Sequence, residues 1–344
     1  KESLAIDISR PVSGPLIRGL LSQADVFLDS ALPSTLTEFG LDYPSLKSNK
    51  ALIHVSLTDF GQDGPWRDYA MNDHAHLALG GQMSSSGYSD PKETPIGGQG
   101  RHAWHMGCAF VLHGITVALF DRESSGAGQY VDVSIHDACA LGTEAAVPQW
   151  MYYGSTMYRH TGMHANPKRL PPLQLPTADG KYIIAVMQNF GTRVWNYLLA
   201  WMDEKGVSGE LHDPIFQDEA YRMSEYRTGS VIRDAVARLI AASDGEECFH
   251  RAQENGISWG LVHAAEENYD VAHYQQRDYW REIEHPEIGR AIPYPRGPFD
   301  CDALGIEPRG RAPHLGENTD PILTQDLGLS AESISALRDS GAVR

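Results

Sequence analysis

At 344 residues the chain has room for about two average domains. Its 42% hydrophobic and 21% charged residues are those of a globular protein, and they exclude a disordered tail, a collagen-like repeat and a small disulfide scaffold. Lys and Arg number 28 against 45 Asp and Glu, so the formal net charge is −17. That balance excludes a broad nucleic-acid backbone binder and argues equally against acidic lipid headgroups.

The opening residues alternate at Leu4, Ile6 and Ile8, which reads as a strand already inside a domain and as a chain that begins downstream of a natural start. No signal-peptide apolar region follows Lys1, and no uninterrupted run of 18 apolar residues marks a membrane span, so no membrane partner is expected. Leu16–Gln23 is helical, Ala24–Asp29 a buried strand, Pro33–Tyr43 a turn with a short helix, and Ala51–Leu57 a second strand. Strand, helix and strand joined by brief loops predict a parallel α/β body. Residues 58–101 are rich in glycine and proline (DFGQDGPW, ALGGQM, TPIGGQG) and predict turns. A helix over Met106–Arg122 with an apolar face including Phe110, Ile115 and Leu119 comes next, then a strand at Tyr130–Ser134 and a helix over Ile135–Tyr153.

Residues 154–172 are polar and proline-rich and read as a linker or crossover. TADGKYIIAV restarts with a turn and strand, followed by helices near 191–203, 229–242 and 245–256 and a strand at Trp259–His263. This stretch predicts a smaller α+β domain. The tail from 295 holds loops and a closing helix, Ala331–Ser340; Trp195 and Trp201 are expected in the core. Cys108, Cys139, Cys248 and Cys301 are widely spaced without a CxxC pair, which predicts reduced thiols, a cytoplasmic location and no zinc site.

Two clusters carry candidate chemistry. Asn72-Asp73-His74-Ala75-His76 sets carboxylate and imidazole side by side, and Arg101-His102-Ala103-Trp104-His105 adds two imidazoles at a helix start. A neutral imidazole there is a suitable proton acceptor. The H-x-H and H-x-x-H spacings lack third and fourth metal ligands, so no metal is expected. Gly97-Gly98-Gln99-Gly100 is not a dinucleotide fingerprint; it suits a glycine wall that lets backbone N–H groups approach an elongated ligand, or an ordinary loop. Ser84–Ser86 lacks the hydrolase elbow, and Asp132 and Asp137 read as caps or hydrogen-bond acceptors.

Taken in order, ADVFLDSALPSTLTEFGLDY, ALIHVSLTDFGQDGPW, LGGQM, GITVALFDRESSGAGQYVDVSIHDA, TADGKYIIAV and APHLGENTDPIL resemble the family III CoA-transferase superfamily (CaiB/BaiF-like), which includes formyl-CoA and carnitine CoA-transferases and α-methylacyl-CoA racemases. The resemblance covers nearly the whole chain, with the family's opening βα unit not matched. It implies a large Rossmann-like α/β domain from residues 1–172 and 293–344, a small α+β domain from 173–292, and an interlocked homodimer or a pseudo-dimer with a related chain. Coenzyme A would be substrate and product rather than a permanently bound cofactor. An acyl-CoA and a carboxylic acid would be its partners, in a cleft near the domain junction.

The same resemblance implies a mechanism whose central residue is not matched here. Family transferases carry an aspartate shortly before the helix equivalent to 106–122, and it attacks the acyl-CoA thioester to give a mixed anhydride. Here the stretch is Gly100-Arg-His-Ala-Trp-His105, with no Asp or Glu. The segment that relatives write N-F-R-P-G is Ser30-Ala-Leu-Pro-Ser34, without its arginine. The candidate catalytic residues are therefore His102, His105 and Asp73, and the candidate CoA or substrate contacts are Asn72, His76, Gly97, Gly98, Gly100 and Arg101. Two readings stay open: an enzyme that transfers CoA between carboxylic acids or remodels an acyl-CoA through a histidine base, and a catalytically degenerate half or subunit of a larger CoA-transferase.

Overall fold

The computed structural model describes residues 1–143, 145–187, 191–299, 301 and 307–344. In chain order the elements are α1 (Ser13–Leu21), β1 (Val26–Asp29), α2 (Thr35–Glu38), β2 (Ile53–Thr58), α3 (Asp73–Leu79), α4 (His102–Ser125), β3 (Tyr130–Ser134), α5 (Ile135–Leu141), α6 (Ala146–Tyr153), β4 (Tyr158–His160), β5 (Met163–Asn166), β6 (Gln174–Pro176), β7 (Tyr182–Ala185), α7 (Thr192–Glu204), α8 (Glu219–Thr228), α9 (Val231–Ala241), α10 (Gly245–Glu254), β8 (Trp259–Leu261), α11 (Ala272–Gln276), β9 (Trp280–His285), β10 (Arg290–Pro295), α12 (Thr319–Gln325) and α13 (Ala331–Asp339). The chain divides into two compact units. The first holds residues 1–82, 98–144 and 269–344, the second 83–97 and 145–268. The boundaries read from the sequence fall elsewhere: residues 145–172 group with the second unit and 269–292 with the first.

The first unit is built on a parallel sheet of order β1-β2-β3, with Val26 opposite Ile53 and His54 opposite Tyr130. Every residue of the central strand β2 is buried. Val55 and Leu57 supply an apolar side, and α4 lies close because Gly107 and Gly114 are small: a Cβ on Gly107 would stand 3.1 Å from Leu57, and one on Gly114 would stand 2.8 Å from Val131. Leu21, Leu46 and Leu52 pack together with Ile17, Ala24 and Phe27 against them. The predicted N-terminal strand is reduced to a single bridge, Ile6 to Val343, because Leu4 and Ile6 are used against Leu323 and Ile334 of the C-terminal helices and Val343 beyond them rather than in the sheet.

Helix α4 starts four residues earlier than the sequence suggests, and its buried side is Ala103, Gly107, Val111 and Ala118. Phe110, assigned to the inner face, is exposed, as are Leu112, Val117 and Phe120. By length and composition α4 could also cross a membrane. Here it packs on the sheet, and an apolar composition on all sides is what hid its true inner face. The helix expected over 135–153 is two helices, α5 and α6, and position 144 between them lies outside the described residues. The expected linker contains the hairpin β4–β5, and the hairpin β9–β10 and helices α8 and α12 were not anticipated.

The second unit packs α7, α9 and α10 on the antiparallel sheet β6-β7-β8. Trp195, Trp201 and Trp259 are buried in its core, as expected for the first two. Arg251 lies over the Trp201 ring at 4.6 Å while its guanidinium pairs with Glu204 at 2.8 Å.

Among the glycines of the first unit the closest approach to another backbone segment is at Gly128, just before β3. Its N–H donates to the Lys50 carbonyl at 2.7 Å, and a Cβ there would lie 2.1 Å from the Leu52 carbonyl oxygen. No rotamer relieves a collision between backbones. Gly128→Ala is expected to lower unfolding stability by about 3 kcal/mol, the upper range of overpacking costs. Urea denaturation should show it, with Gly126→Ala, whose Cβ would meet nothing but whose backbone is left-handed (φ 68°), costing only about 1 kcal/mol.

Candidate active site

The turn into α4 gathers most of the sequence candidates. Gly100 (φ 81°) and Arg101 (φ 60°, ψ 48°) are both left-handed. A non-glycine residue in that region is uncommon and strained, and such strain concentrates at functional turns. Gly98 lies against the His102 imidazole, and a Cβ there would come within 3.1 Å of the ring. His102 and His105 are exposed on the first turn of α4. Arg101 is the N-cap residue but gives no side-chain cap.

The cap comes instead from α3. Asn72 caps α3 itself, its Oδ1 accepting the Ala75 N–H at 2.9 Å. Asp73, one residue on, turns its Oδ1 to the Trp104 N–H of α4 at 3.2 Å, while its Oδ2 is buried without a hydrogen-bond partner among the described residues. The Asp73 charge also reaches Cys139 on α5, whose thiol burial and this carboxylate push up to about 11. Asp73, His102 and His105 are thus brought to one helix end. Gly97 belongs to the second unit, while Gly98, Gly100 and Arg101 belong to the first.

His76 is set differently. It is fully buried, and its Nε2 pairs with Asp59 Oδ1 at 3.0 Å. Asp59 Oδ2 accepts the Met71 N–H, and the Asp59 carbonyl accepts the His136 N–H. The His76 and His136 rings stand 6.1 Å apart around Phe60. Burial first, and the His76 charge second, hold His136 below the ordinary histidine range, against an opposing pull from Asp137. His76, in this structure, holds the loop after β2 and does not face solvent.

The sequence reading missed a polar group on the sheet itself. Asp29 at the end of β1 accepts a hydrogen bond from Ser56 Oγ at 2.5 Å and pairs with His54 Nε2 at 2.8 Å. His54 and Ser56 are both buried, and Tyr130 meets the His54 ring edge-on at 5.2 Å. Loss of hydration raises Tyr130, and it raises Asp132 too, with Asp63, Asp137 and Asp29 adding to the latter. Asp132 accepts the Gln62 N–H at 2.9 Å, the acceptor role expected of it. A cavity of about 360 Å³ opens beside this group, walled by Asp29, Leu32, His54, Ser56, Arg67 and Tyr130 among others. The alternation of His54, Ser56 and Thr58 with Val55 and Leu57 was the available signal: a parallel strand covered on both faces is ordinarily apolar throughout. Among the described residues no three His, Cys, Asp or Glu side chains are grouped to hold a metal ion.

The model of CoA-transferase family III matches residues 1–319, and the chain belongs to that family. It is similar to the succinyl-CoA:(R)-benzylsuccinate CoA-transferase subunit BbsE of Thauera aromatica, 29% identical over 352 residues that cover 100% of this chain and 82% of that protein. It is 28% identical over 340 residues to the succinyl-CoA–D-citramalate CoA-transferase of Chloroflexus aurantiacus, covering 98% and 81%. The beta subunit of the succinyl-CoA–L-malate CoA-transferase of the same organism is 25% identical over 348 residues, covering 100% and 82%. Among solved structures, a CaiB/BaiF family protein from Brucella suis shares the fold with a TM-score of 0.76 at 21% identity, over 93% of this chain and 80% of that one.

Two outcomes are expected at these groups. Asp73→Ala removes the acceptor from the first turn of α4 and should cost about 1 kcal/mol of stability in urea melts, as loss of a cap does, with Asp73→Asn recovering most of it. His136 resists protonation in the folded chain, whereas the unfolded chain takes that proton as pH falls through the ordinary histidine value. Stability carried by a neutral His136 is therefore present above that value and lost below it. His136→Phe should flatten the decline between pH 7 and pH 5.5, read as denaturation midpoints of both proteins across that range.

Proposed function

We propose that this chain works in CoA transfer from succinyl-CoA or a similar acyl-CoA to a carboxylic acid, as one of two related chains, and that the second chain supplies the carboxylate that attacks the thioester. The observation that carries this reading is the first turn of α4: Gly98–His105 contains no Asp or Glu, and the carboxylate that does reach the turn, Asp73, is tied to the Trp104 N–H. Relatives named as subunits, BbsE and the malate transferase chains, support a two-chain enzyme. So does the exposed apolar side of α4 at Leu112, Val117 and Phe120, surface of the kind that a partner chain covers. The acids named for those relatives, benzylsuccinate, citramalate and malate, point to a dicarboxylic acceptor.

In this reading the cavity beside Asp29 and His54 lies in the crevice where open α/β sheets hold ligands, and takes part of the CoA. Gly98, Gly100 and Arg101 border the acyl end. Asp73 fixes the helix turn, and His102 and His105 stand beside the acyl end as hydrogen-bonding groups for the reacting carboxylates. The transfer itself proceeds by attack of the partner's carboxylate on the thioester carbonyl, expelling CoA thiolate and leaving a mixed anhydride. The thiolate then attacks the enzyme-side carbonyl of the anhydride, releasing the first acid and leaving an enzyme thioester. The acceptor acid repeats the sequence in reverse. The second reading, a histidine base that removes an α-proton from the acyl-CoA, draws on the exposure of His102 and His105.

Trapping with hydroxylamine separates these. Incubated alone with succinyl-CoA and hydroxylamine, this chain should yield no hydroxamate on any Asp- or Glu-containing peptide by mass spectrometry, and its CoA transfer should be negligible. A hydroxamate on one of its own carboxylates, or rapid transfer by this chain alone, would overturn the two-chain proposal. Uptake of deuterium at the acyl α-carbon in D₂O, lost in His105→Ala, would establish the second reading in its place.

A further inference from the structure

The second unit contains a cavity of about 380 Å³ between the segment 171–175 and α9, remote in role from everything assigned above. Leu173, Leu175, Val236 and Ala237 line it along with the polar Gln174 and Ser230, and Arg233 is the one cation lining it among the described residues. The arginine is half-buried. Its guanidinium lies 5.8 Å from the centre of the Tyr226 ring, and one Nη2 hydrogen goes to the Gly229 carbonyl. Its Nε is buried and meets no acceptor among the described residues. Asp234 borders the same cavity but forms no ion pair with Arg233, and Glu225 is spent on the N–H groups of Val231 and Ile232 at the start of α9.

A guanidinium taken partly out of water is stable where an anion faces it, and such charges are ordinarily paired. Here the pairing is incomplete and much of the wall in front of it is apolar. A bare inorganic anion would gain the charge but leave the leucine and valine walls against water. An uncharged hydrocarbon would fill the walls and leave the guanidinium as it is. An organic acid satisfies both, since a carboxylate matches the planar donor fork of arginine while its carbon chain covers the apolar wall. We propose that this cavity binds a small organic carboxylate with an apolar body, its carboxylate on Arg233 and its chain against Leu173, Leu175 and Val236. The site is independent of the CoA-transfer reading.

Calorimetric titration of the intact chain with hexanoate tests it, with hexan-1-ol and inorganic phosphate as separate probes. Hexanoate should bind at one site per chain, and both hexan-1-ol and phosphate should bind at least tenfold more weakly. Arg233→Met should weaken hexanoate at least tenfold and Arg233→Lys less than that. Ala237→Phe, which keeps the arginine and fills the space, should abolish binding even if Arg233→Met folds poorly. The proposal is overturned if hexanoate does not bind the unaltered chain, if phosphate binds as tightly as hexanoate, or if Arg233→Met and Ala237→Phe both retain full affinity. None of these outcomes bears on hydroxylamine trapping, so this site and the CoA-transfer reading stand or fall separately.

Discussion

The first unit depends on the burial of β2 on both faces. One face carries Val55 and Leu57 and receives α4, which the glycines at 107 and 114 let approach. The other carries His54, Ser56 and Thr58, polar groups that stay buried at tolerable cost because Asp29 accepts from two of them and Gly61 donates to the third. Removing the Asp29 carboxylate would leave the buried His54 Nε2 and Ser56 hydroxyl without that acceptor, the expensive case for a buried polar pair. That carboxylate ties the end of β1 to the polar side of β2 beside the cavity.

The cavity at Asp29 and the turn into α4 differ in chemistry. The cavity at Asp29 is walled by aromatic rings and hydroxyls with Arg67 as its cation, a surface suited to hydrogen bonding and stacking more than to neutralising several phosphates. The turn into α4 holds strain at Arg101, two exposed imidazoles and a carboxylate already engaged in capping. Such a turn can bind and can move protons. It does not by itself offer the free carboxylate that an anhydride mechanism requires, and this is why a second chain enters the account.

Much of the architecture was legible because it rests on local signals. Tyr130–Ser134 is a strand at the expected limits, and β1, β2, α7, α9 and α10 fall close to their expected places, since period and turn residues agree there. What was not legible depended on contacts far apart in sequence. Leu4 and Ile6 have strand alternation, yet the C-terminal helices claim them. Helix α4 is apolar all round, so its inner side is decided by where glycines permit approach. At the site, the glycine turn and the histidines of 101–105 were visible as a motif. His76 was read as a ligand contact because its burial against Asp59, seventeen residues away, leaves no mark in its own neighbourhood. The Asp29–His54–Ser56 group spans two strands, and only the polar alternation within β2 hinted at it.

In the proposed function the polar face of β2 and the turn into α4 form the acyl-CoA side of the site. Hydrogen–deuterium exchange of the chain with and without saturating succinyl-CoA reads this directly. The account predicts slowed exchange in peptides covering 29–37 and 98–106, with the C-terminal peptides over α12 and α13 unchanged. Slowed exchange confined to other segments, with 29–37 and 98–106 exchanging as in the free chain, would contradict it.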